Sequence, residues 1–318
     1  MISVIISTYN GERFLCKQLD SIWSQTRKPD EIIISDDNSS DTTRLIIQSY
    51  IEKGVMPIKF FHNTERLGYA SNFRKALLLA KGDIIFLSDQ DDVWDKRKIE
   101  ICERFFDTHT DALALSTAFD IIDDNGRKSR KGIFYREFGL TKVKKIKWKT
   151  FLRHPKYPGM AMAVRKDLID KIDFSKDWNE LPHDWQLNQE AAYRNSMYFL
   201  NVALTHYRQH QSNTVGTLIN ISNDSAIIKR EEMLENICNA LQMIADDCRT
   251  EKPYITKSIR YQEERRKLCI ENRYIYLFFY SVLNLSYISL RSIFGDLYVG
   301  IQYSRVKKIK SRGESRTS

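Results

Sequence analysis

The stretch Ile84-Ile85-Phe86-Leu87-Ser88-Asp89-Gln90-Asp91-Asp92-Val93-Trp94 decides how this chain is expected to fold. Its apolar first part is short and rich in β-branched residues, which predicts a buried strand, and three carboxylates follow within the next five positions. Like charges are costly to cluster unless a divalent cation neutralises them, and oxygen ligands suit Mg2+ or Mn2+. The stretch therefore predicts a metal-assisted site at the carboxyl edge of a parallel sheet, where open α/β sheets bind ligands. The alternative is a polar turn in which Asp92 or Asp95 caps the next helix.

Apolar runs and helical patterns alternate through the first 120 residues. This alternation predicts an α/β fold with a mostly parallel central sheet flanked by helices. Neither a Gly-x-Gly-x-x-Gly turn nor a phosphate-binding loop ending in Gly-Lys-Ser/Thr is present, which excludes the usual dinucleotide and P-loop classes. The predicted strands are Ser3–Ser7, Glu31–Ser35, Ile58–Phe61 and Ile84–Leu87, and the predicted helices are Phe14–Gln25, Asp41–Tyr50 and Ala70–Ala80.

The remainder of the chain divides into a mixed part and a helical part. Strands are predicted at Leu113–Ser116, Met160–Val164 and Met197–Tyr207, with a basic surface helix or loop at Lys142–Lys149. From Asn223 onward long helical patterns contain few breakers, so we place a boundary near Thr217. The predicted organisation is an α/β domain at 1–217 and a helical extension at 218–318.

Composition narrows the class of protein. The chain has 318 residues, 42% of them hydrophobic and 29% charged, as in a globular protein. Its five cysteines are scattered without Cys-x-x-Cys spacing, so we expect neither a zinc site nor a disulfide framework. We expect the protein to work in a reducing compartment. The apolar run Val4-Ile5-Ile6 is too short for a signal peptide. We therefore expect a cytoplasmic protein.

The C-terminal region carries two further signals. The segment Tyr274–Leu290 is 17 uncharged residues rich in Tyr, Phe and Leu, the lower limit for crossing a bilayer. It predicts attachment to the membrane interface, and the alternative is a helical hairpin packed on the first domain or on a second subunit. The last 14 residues hold six basic residues against the single acid Glu314. Such tails bind anionic membranes or are simply solvated, and we expect no nucleic acid because charge alone carries no specificity.

Three motifs together indicate a family. Ser7-Thr8-Tyr9-Asn10-Gly11, Ser35-Asp36-Asp37-Asn38-Ser39-Ser40-Asp41 and Ser88-Asp89-Gln90-Asp91-Asp92-Val93-Trp94 follow one another in order. Over roughly residues 1–215 the chain resembles family 2 glycosyltransferases, inverting enzymes with the GT-A fold. The third motif and Tyr207-Arg208-Gln209-His210 resemble bacterial polysaccharide enzymes that transfer rhamnose. The resemblance implies a nucleotide-sugar half at about 1–120 and an acceptor half at about 121–217.

The first two motifs are expected to hold the nucleotide. Backbone amides at Thr8, Tyr9 and Asn10, after the first strand, can meet a base, although a plain β-to-α turn is the alternative. A carboxylate after the second strand can accept a hydrogen bond from a pyrimidine N3–H, which cytosine lacks, so uracil or thymine is favoured. The resemblance assigns this role to Asp37, and it places Arg66 near the nucleotide.

The acidic motif is expected to hold the ribose, the metal and the diphosphate. By resemblance, Asp91 and Asp92 bind a divalent cation that bridges both phosphates, and Asp91 also belongs to the nucleotide site. Asp89 would meet the ribose or the donor sugar. Arg208 could hold the diphosphate, and His210 could do the same or act as a metal ligand, although a structural histidine is the alternative.

Inverting transfer needs one general base to deprotonate the acceptor hydroxyl. The family's base is an Asp or Glu that opens a helix about a hundred residues past the acidic motif, and Asp184 in Leu181-Pro182-His183-Asp184-Trp185 matches it. The alternative is a helix N-cap. The helix N-terminus would lower the pKa of Asp184, whereas burial beside Trp185 would raise it.

These expectations combine into a predicted function. The chain would be a metal-dependent glycosyltransferase that moves rhamnose from dTDP-L-rhamnose, or a hexose from a UDP-sugar, to a glycan or lipid-linked oligosaccharide at the cytoplasmic membrane face. Two alternatives stay open, a non-catalytic scaffold of a polysaccharide-assembly complex and a sugar-nucleotidyltransferase. The second would need a Gly-rich basic loop after the first strand, which Thr8-Tyr9-Asn10-Gly11-Glu12 does not supply. A homo-oligomer is equally open.

Overall fold

The computed structural model describes residues 1–128, 143–153, 157–174 and 182–210, most of 252–298, and a few residues between 234 and 242. It divides into two compact units, one formed by 1–151 with 156–213 and one by 152–155 with 214–318. The boundary expected at Thr217 lies outside the described residues and stays a prediction, as does the split into nucleotide and acceptor halves.

The first four strands of the first unit are parallel and follow the predicted alternation. Apolar residues predominate in these strands, and each of the first three is followed by a helix with an apolar face that packs on the sheet. In register, Val4 pairs with Ile32 on one side and with Phe86 on the other. The elements are β1 (Ile2–Thr8), α1 (Leu15–Trp23), β2 (Glu31–Asp36), α2 (Thr43–Glu52), β3 (Ile58–His62), α3 (Tyr69–Leu79), β4 (Ile84–Ser88), β5 (Val93–Trp94) and α4 (Lys98–Thr108).

The second half of this unit extends the sheet with antiparallel strands. Strand β8 lies between β4 and β6 and is antiparallel to both, whereas β9 is parallel to β6. The sheet order is β3-β2-β1-β4-β8-β6-β9-β5, and β7 pairs with β9. The elements are β6 (Ala114–Ile122), β7 (Val143–Lys145), α5 (Trp148–Arg153), β8 (Met162–Arg165), α6 (Lys166–Ile169), α7 (His183–Tyr193) and β9 (Met197–Arg208).

Two local predictions differ from the structure. The strand expected to begin at Met160 begins at Met162, because Gly159–Ala161 forms a turn of 3-10 helix after Pro158. The basic stretch expected as a surface helix or loop contributes the short strand β7, which pairs with β9. Its lysines Lys144 and Lys147 remain exposed, so the surface position was predicted and the strand was not.

The hydrophobic core of the first unit is built around the central strands of the sheet. Strands β1, β2 and β4 are almost completely buried along their length, since helices cover both faces. The central positions Val4, Ile6, Ile32, Ile34 and Phe86 are inaccessible to solvent. A rigid sheet of this kind fixes the positions of the loops that leave its carboxyl edge.

The second unit is helical where it is described. Helices α8 (Lys252–Ile270) and α9 (Tyr274–Leu283) belong to this unit and pack against each other. Helix α9 covers the first part of the apolar segment Tyr274–Leu290. Across the part of the chain that the structure describes, no helix has both the length and the apolar character needed to cross a membrane.

Candidate active site

The carboxyl ends of β1, β2 and β4 meet at one edge of the sheet, and the three sequence motifs follow these ends. Parallel pairing sets Thr8 beside Asp36, and Ile6 beside Ser88. The loops after the three strands therefore lie together at this edge, which is where open α/β sheets bind ligands. The structure thus brings the three motifs together at one edge of the sheet.

A side-chain amide joins the loop after β1 to the acidic loop. The N–H of Tyr9 donates to Oε1 of Gln90, and Nε2 of Gln90 donates to the carbonyl of Tyr9, both at 2.9 Å. Gly11 leaves room for this side chain, since a Cβ there would lie 2.7 Å from Cδ of Gln90. Asn10 has a left-handed backbone with φ of 48°, and its Oδ1 accepts from the N–H of Ser40 at 2.9 Å. The predicted nucleotide loop is thus held by hydrogen bonds to the two loops that carry the other motifs.

Asp36, the first aspartate of the second motif, serves the loop itself. It is completely buried and accepts from the hydroxyl of Thr8 at 2.8 Å and from the N–H of Ser39 at 3.0 Å. The ring Nδ1 of His62 lies 3.1 Å from the same carboxylate. The side chain of Thr8 is therefore engaged within the protein, and a contact of its backbone with a nucleotide stays a prediction.

Asp37 positions the segment that contains Arg66. Its carboxylate accepts from the backbone N–H groups of Leu67 at 2.7 Å and Gly68 at 2.9 Å. Gly68 has φ of 84°, a conformation that favours glycine. The guanidinium carbon of Arg66 then lies 4.0 Å from the ring centroid of Tyr9. The structure brings Tyr9, Asp37 and Arg66 together, while a hydrogen bond donated by a pyrimidine N3–H to Asp37 stays a prediction.

The three acids of the third motif form one cluster. Carboxylate oxygens of Asp89, Asp91 and Asp92 all lie within 4.8 Å of one another. Asp92 is completely buried, and its Oδ2 has no hydrogen-bond partner among the described residues. Burial, and then the charges of Asp91 and Asp89, raise the pKa of Asp92 well above its usual value. Burial raises the pKa of Asp89 to about 7, with Asp91 and Asp184 adding to the effect.

This cluster fits a divalent cation. An unpartnered carboxylate oxygen deep in a group of like charges is unfavourable by itself, whereas hard cations take such oxygens as ligands. His210 extends the donor set, because its Nε2 lies 2.9 Å from Oδ2 of Asp91. The residues present are thus those that Mg2+ or Mn2+ would need, and the binding itself is not shown.

Arg208 holds the acidic loop in place through hydrogen bonds to its backbone and to one of its carboxylates. It is inaccessible to solvent, its backbone N–H donates to Oδ1 of Asp92 at 3.0 Å, and its Nε donates to the carbonyl of Asp91 at 2.8 Å. Its Nη1 donates to the carbonyls of Asp123 and Asp124. These contacts indicate a positioning residue, and the diphosphate contact predicted for Arg208 stays untested.

A buried lysine connects the helix after the acidic loop with the turn at Gly159–Ala161. Nζ of Lys98 donates to the carbonyl of Met160 at 2.8 Å and to Oγ1 of Thr205 at 3.0 Å. It also lies 3.8 Å from the ring centroid of Trp94, which is buried and so belongs to the core rather than to a sugar-binding surface. Burial lowers the pKa of Lys98 to about 7. Nothing in the sequence singled out this residue.

Asp184, the predicted base, lies in the first turn of α7. Its Oδ2 accepts from the N–H of Gly159 at 3.0 Å, and its Oδ1 accepts from the N–H of Trp185 at 2.9 Å. Burial raises the pKa of Asp184 to about 6, against the opposite effect of these hydrogen bonds. The competition foreseen between burial and the helix N-terminus is therefore decided by burial. A carboxylate with this pKa can accept a proton near neutral pH.

His183, which precedes the predicted base, packs in the interior of the first unit. Its ring stacks on Phe73 with centroids 3.9 Å apart and an interplanar angle of 17°. A Cβ on Gly159 would lie 2.7 Å from Nε2 of His183, so the glycine lets the ring approach the backbone. Burial, and to a smaller extent Arg74, lowers the pKa of His183 to about 3, so the ring is neutral. The sequence offered no signal that distinguished this histidine from a site residue.

Comparison with known proteins identifies the family. The sequence model described as "Glycosyl transferase family 2" matches residues 3–172, more than half of the chain. An uncharacterized glycosyltransferase of Nostoc sp. is 27% identical over 218 residues, covering 67% of this chain and 66% of that protein, a little less than two thirds of its length. The dTDP-rhamnosyl transferase RfbG of Shigella flexneri is 27% identical over 261 residues, covering 76% of this chain and 85% of that protein.

Two solved structures share the fold. TarS 1-349 of S. aureus in complex with UDP-GlcNAc has a TM-score of 0.60 at 18% identity, covering 84% of this chain and 72% of that one. A mannosyltransferase of Pyrobaculum calidifontis in complex with GDP-Man and Mn2+ has a TM-score of 0.57 at 16% identity, covering 98% of this chain and 82% of that one. The predicted GT-A fold is confirmed. With motifs, fold and family match in agreement, the chain belongs to glycosyl transferase family 2.

Proposed function

We propose that this protein transfers a sugar from a nucleotide-sugar donor to an acceptor hydroxyl with inversion at the anomeric carbon. One observation carries the proposal. The carboxylate of Asp184, which accepts from the N–H groups of Gly159 and Trp185, lies near enough to the acidic cluster for its charge to raise the pKa of Asp89. A site for a nucleoside diphosphate beside a carboxylate able to accept a proton is the arrangement that inverting transfer requires.

The donor is proposed to be a uridine or thymidine diphosphate sugar. Tyr9, Asp37 and Arg66 would hold the base, together with the backbone of Thr8 and Asn10. A carboxylate acceptor at Asp37 favours a base with an N3–H. The resemblance to a dTDP-rhamnosyl transferase supports dTDP-rhamnose, and a UDP-hexose is the other candidate.

The sugar and diphosphate are proposed to lie over the acidic cluster. Asp89 would meet the ribose or the donor sugar, while Asp91 and Asp92, with His210, would hold Mg2+ or Mn2+. A bound divalent cation neutralises charge on the departing nucleoside diphosphate. Arg208 supports this site from below through its hydrogen bonds to Asp91 and Asp92.

Asp184 is proposed to act as the general base. As the acceptor oxygen attacks the anomeric carbon, its proton passes to Asp184, and the bond from that carbon to the diphosphate oxygen breaks. The N–H groups of Gly159 and Trp185 keep the carboxylate oriented throughout. Because attack and departure occur on opposite faces of the sugar, the configuration inverts in one step and no covalent enzyme intermediate is needed.

The acceptor is proposed to be a glycan or a lipid-linked oligosaccharide used for cell-surface polysaccharide. The chain would then work in the cytoplasm, on the inner face of the cell membrane. The experiment that tests the whole proposal is a thermal-shift panel of UDP-, dTDP-, GDP- and CDP-sugars, with Mn2+ and with EDTA. A ligand that binds only the native state raises Tm by mass action.

We expect one uridine or thymidine donor to raise Tm in Mn2+ and not in EDTA. The double variant Asp91→Asn/Asp92→Asn should lose that shift, and the matched control Asp107→Asn, an exposed acid on α4, should keep it. A donor that stabilises the protein should also be consumed, with release of nucleoside diphosphate. Stabilisation by no donor would contradict the proposal and favour a scaffold of a polysaccharide-assembly complex.

A further inference from the structure

In the second unit, the side of α9 that faces α8 is already occupied by contacts within the helical pair. Tyr261 on α8 is 1% exposed, its hydroxyl donates to Oγ of Ser281 at 2.9 Å, and its ring stacks on Tyr280 with centroids 5.4 Å apart. Arg265 and Asp296 form a buried ion pair with contacts of 2.8 and 3.2 Å. The aromatic packing joins the facing sides of α8 and α9, and the ion pair joins α8 to Asp296, which lies beyond the end of α9.

The opposite side of α9 is apolar and exposed. At about 100° per residue, its exposed side chains fall within an arc of roughly 120°, while the buried Tyr274, Leu277 and Ser281 point the other way. We call these exposed residues the outer stripe, and they are Ile275 (72% exposed), Tyr276 (63%), Phe279 (62%), Val282 (39%) and Leu283 (84%).

The apolar exposure continues beyond α9. Leu285 is exposed, and Leu290, Phe294 and Tyr298 recur every four residues with about 60% exposure. Of the eighteen large hydrophobic side chains exposed among the described residues, ten lie between 270 and 298. A patch this concentrated marks an interaction surface rather than the ordinary scatter of apolar groups on a soluble surface.

A helix that is apolar on both sides needs an apolar neighbour on both. Helix α8 supplies one of them. Tyrosine and phenylalanine mixed with leucine and isoleucine, as in the outer stripe, suit the boundary between headgroups and acyl chains, where an aromatic body is buried and a hydroxyl stays wet. The composition of the stripe thus fits lipid.

Charge distinguishes a lipid surface from a second copy of the chain. Between 305 and 318 six basic residues face one acid, which leaves a side-chain charge of +5. This basic stretch begins seven residues after Tyr298, so it starts at most about 25 Å away along the chain. Two copies meeting at the stripe would bring two such charges together, whereas an anionic lipid surface attracts them.

We propose that the outer stripe docks the protein on an anionic lipid surface, with α9 lying in the interface plane. The inference rests on the proposed function only in that a lipid-linked acceptor would be met there. The apolar side chains contribute binding free energy by entering the lipid. The basic stretch contributes electrostatic attraction to the anionic headgroups, which salt weakens.

The test is co-sedimentation of the full chain with vesicles, without donor, metal or acceptor, so that it does not depend on glycosyl transfer. We expect binding to vesicles of phosphatidylcholine mixed with phosphatidylglycerol, and weaker binding to phosphatidylcholine alone or at high salt. The double variant Phe279→Ser/Leu283→Ser should weaken binding by at least about tenfold, since two large apolar side chains no longer enter the lipid.

A matched control separates the stripe from exposed apolar residues in general. The variant Leu45→Ser/Leu78→Ser removes two exposed leucines from α2 and α3, which are 71% and 56% exposed, and should bind as the unmodified chain does. Absence of vesicle binding, or equal binding by the Phe279→Ser/Leu283→Ser variant, would overturn the proposal. Sedimentation velocity measures whether the chain forms a dimer in solution. A dimer that Phe279→Ser/Leu283→Ser dissociates would assign the stripe to a second copy instead.

Discussion

Replacing Asp184 by asparagine tests the chemistry most directly. A general base contributes typically about 10²–10⁴-fold to a rate, so Asp184→Asn should lower kcat by that amount. Donor binding should persist, because the tyrosine, arginine and acidic side chains proposed to hold the donor are untouched. The expected signature is therefore a large fall in kcat with an unchanged donor-dependent rise in Tm.

Loss of the fold is not the expected cause of that fall. The pKa of Asp184 is raised from 3.8 to about 6, so its ionised form is disfavoured in the folded chain. Stability contributed by this group is greatest below pH 3.8 and falls as pH rises through 6, by at most about 3 kcal/mol. Asparagine removes that penalty but leaves one N–H, of Gly159 or Trp185, without an acceptor, which costs about 1–3 kcal/mol. The two effects oppose, so the free energy of unfolding should change little at neutral pH.

The same pKa sets the pH dependence of kcat/KM for the acceptor, which reports the enzyme before the acceptor binds. Only the ionised base accepts a proton, so this kcat/KM should be half-maximal near pH 6, and about a tenth of the carboxylate is ionised one pH unit lower. A carboxyl group with the ordinary pKa of 3.8 would leave it nearly constant over that range. Donor and Mn2+ are kept at saturating concentrations, so that protonation of the acidic cluster does not change how much donor is bound.

The assay is release of nucleoside diphosphate from the donor selected by thermal shift, with a panel of alkyl glycosides as acceptors. Asp170→Asn is the matched control, since Asp170 is an exposed aspartate that ends a neighbouring helix. It should leave kcat unchanged, as well as the pH dependence of kcat/KM for the acceptor. Transfer by Asp184→Asn at the unmodified rate, in a protein with an unchanged Tm, would refute the assignment of the base. A value of kcat/KM for the acceptor that is independent of pH between about 5 and 7 would refute the raised pKa.

Three further substitutions probe the supports of the site. Asp92→Asn removes a buried carboxylate with an unpartnered oxygen, so in EDTA it should raise Tm, by about 2–4 °C for each kcal/mol regained, and it should abolish the Mn2+-dependent donor shift. Lys98→Met breaks the 2.8 Å bond to the carbonyl of Met160, and we expect urea unfolding to show a loss of about 1–3 kcal/mol and kcat to fall, with the donor shift retained. Gly11→Ala would place a Cβ 2.7 Å from Cδ of Gln90, and displacement of that side chain should weaken donor binding about tenfold in a calorimetric titration. Unchanged donor affinity in the last variant would show that the Gln90 bridge is dispensable.

The fold was largely predictable because its signals are local. Strands β1 to β4 are short apolar runs and their helices are amphipathic, so periodicity located every element of the parallel half to within a few residues. Prediction was weaker from Lys142 to Val164, where a short strand and a turn of 3-10 helix depend on partners distant in the sequence. Pairing with a remote strand leaves little trace in the segment that is paired.

The candidate site was predictable to the extent that its residues follow strand ends. Tyr9, Asp37, Asp91 and Asp184 were all proposed from motifs that resemble those of the family. The structure places the first three in loops at one edge of the sheet, with Asp184 near Asp89. Their roles stay predictions for the experiments above.

The sequence by itself determined the alternation of strands and helices, the position of the acids after β4 and the apolar, basic character of the C-terminal region. Each of these depends on residues that are neighbours in the chain. Only the tertiary structure decided that Gln90 bridges to Tyr9, that Lys98 reaches the carbonyl of Met160, and that the pKa of Asp184 is near 6. It also decided which side of α9 remains open. Burial and hydrogen bonding are properties of the space around a group, and the residues that create that space come from distant parts of the chain.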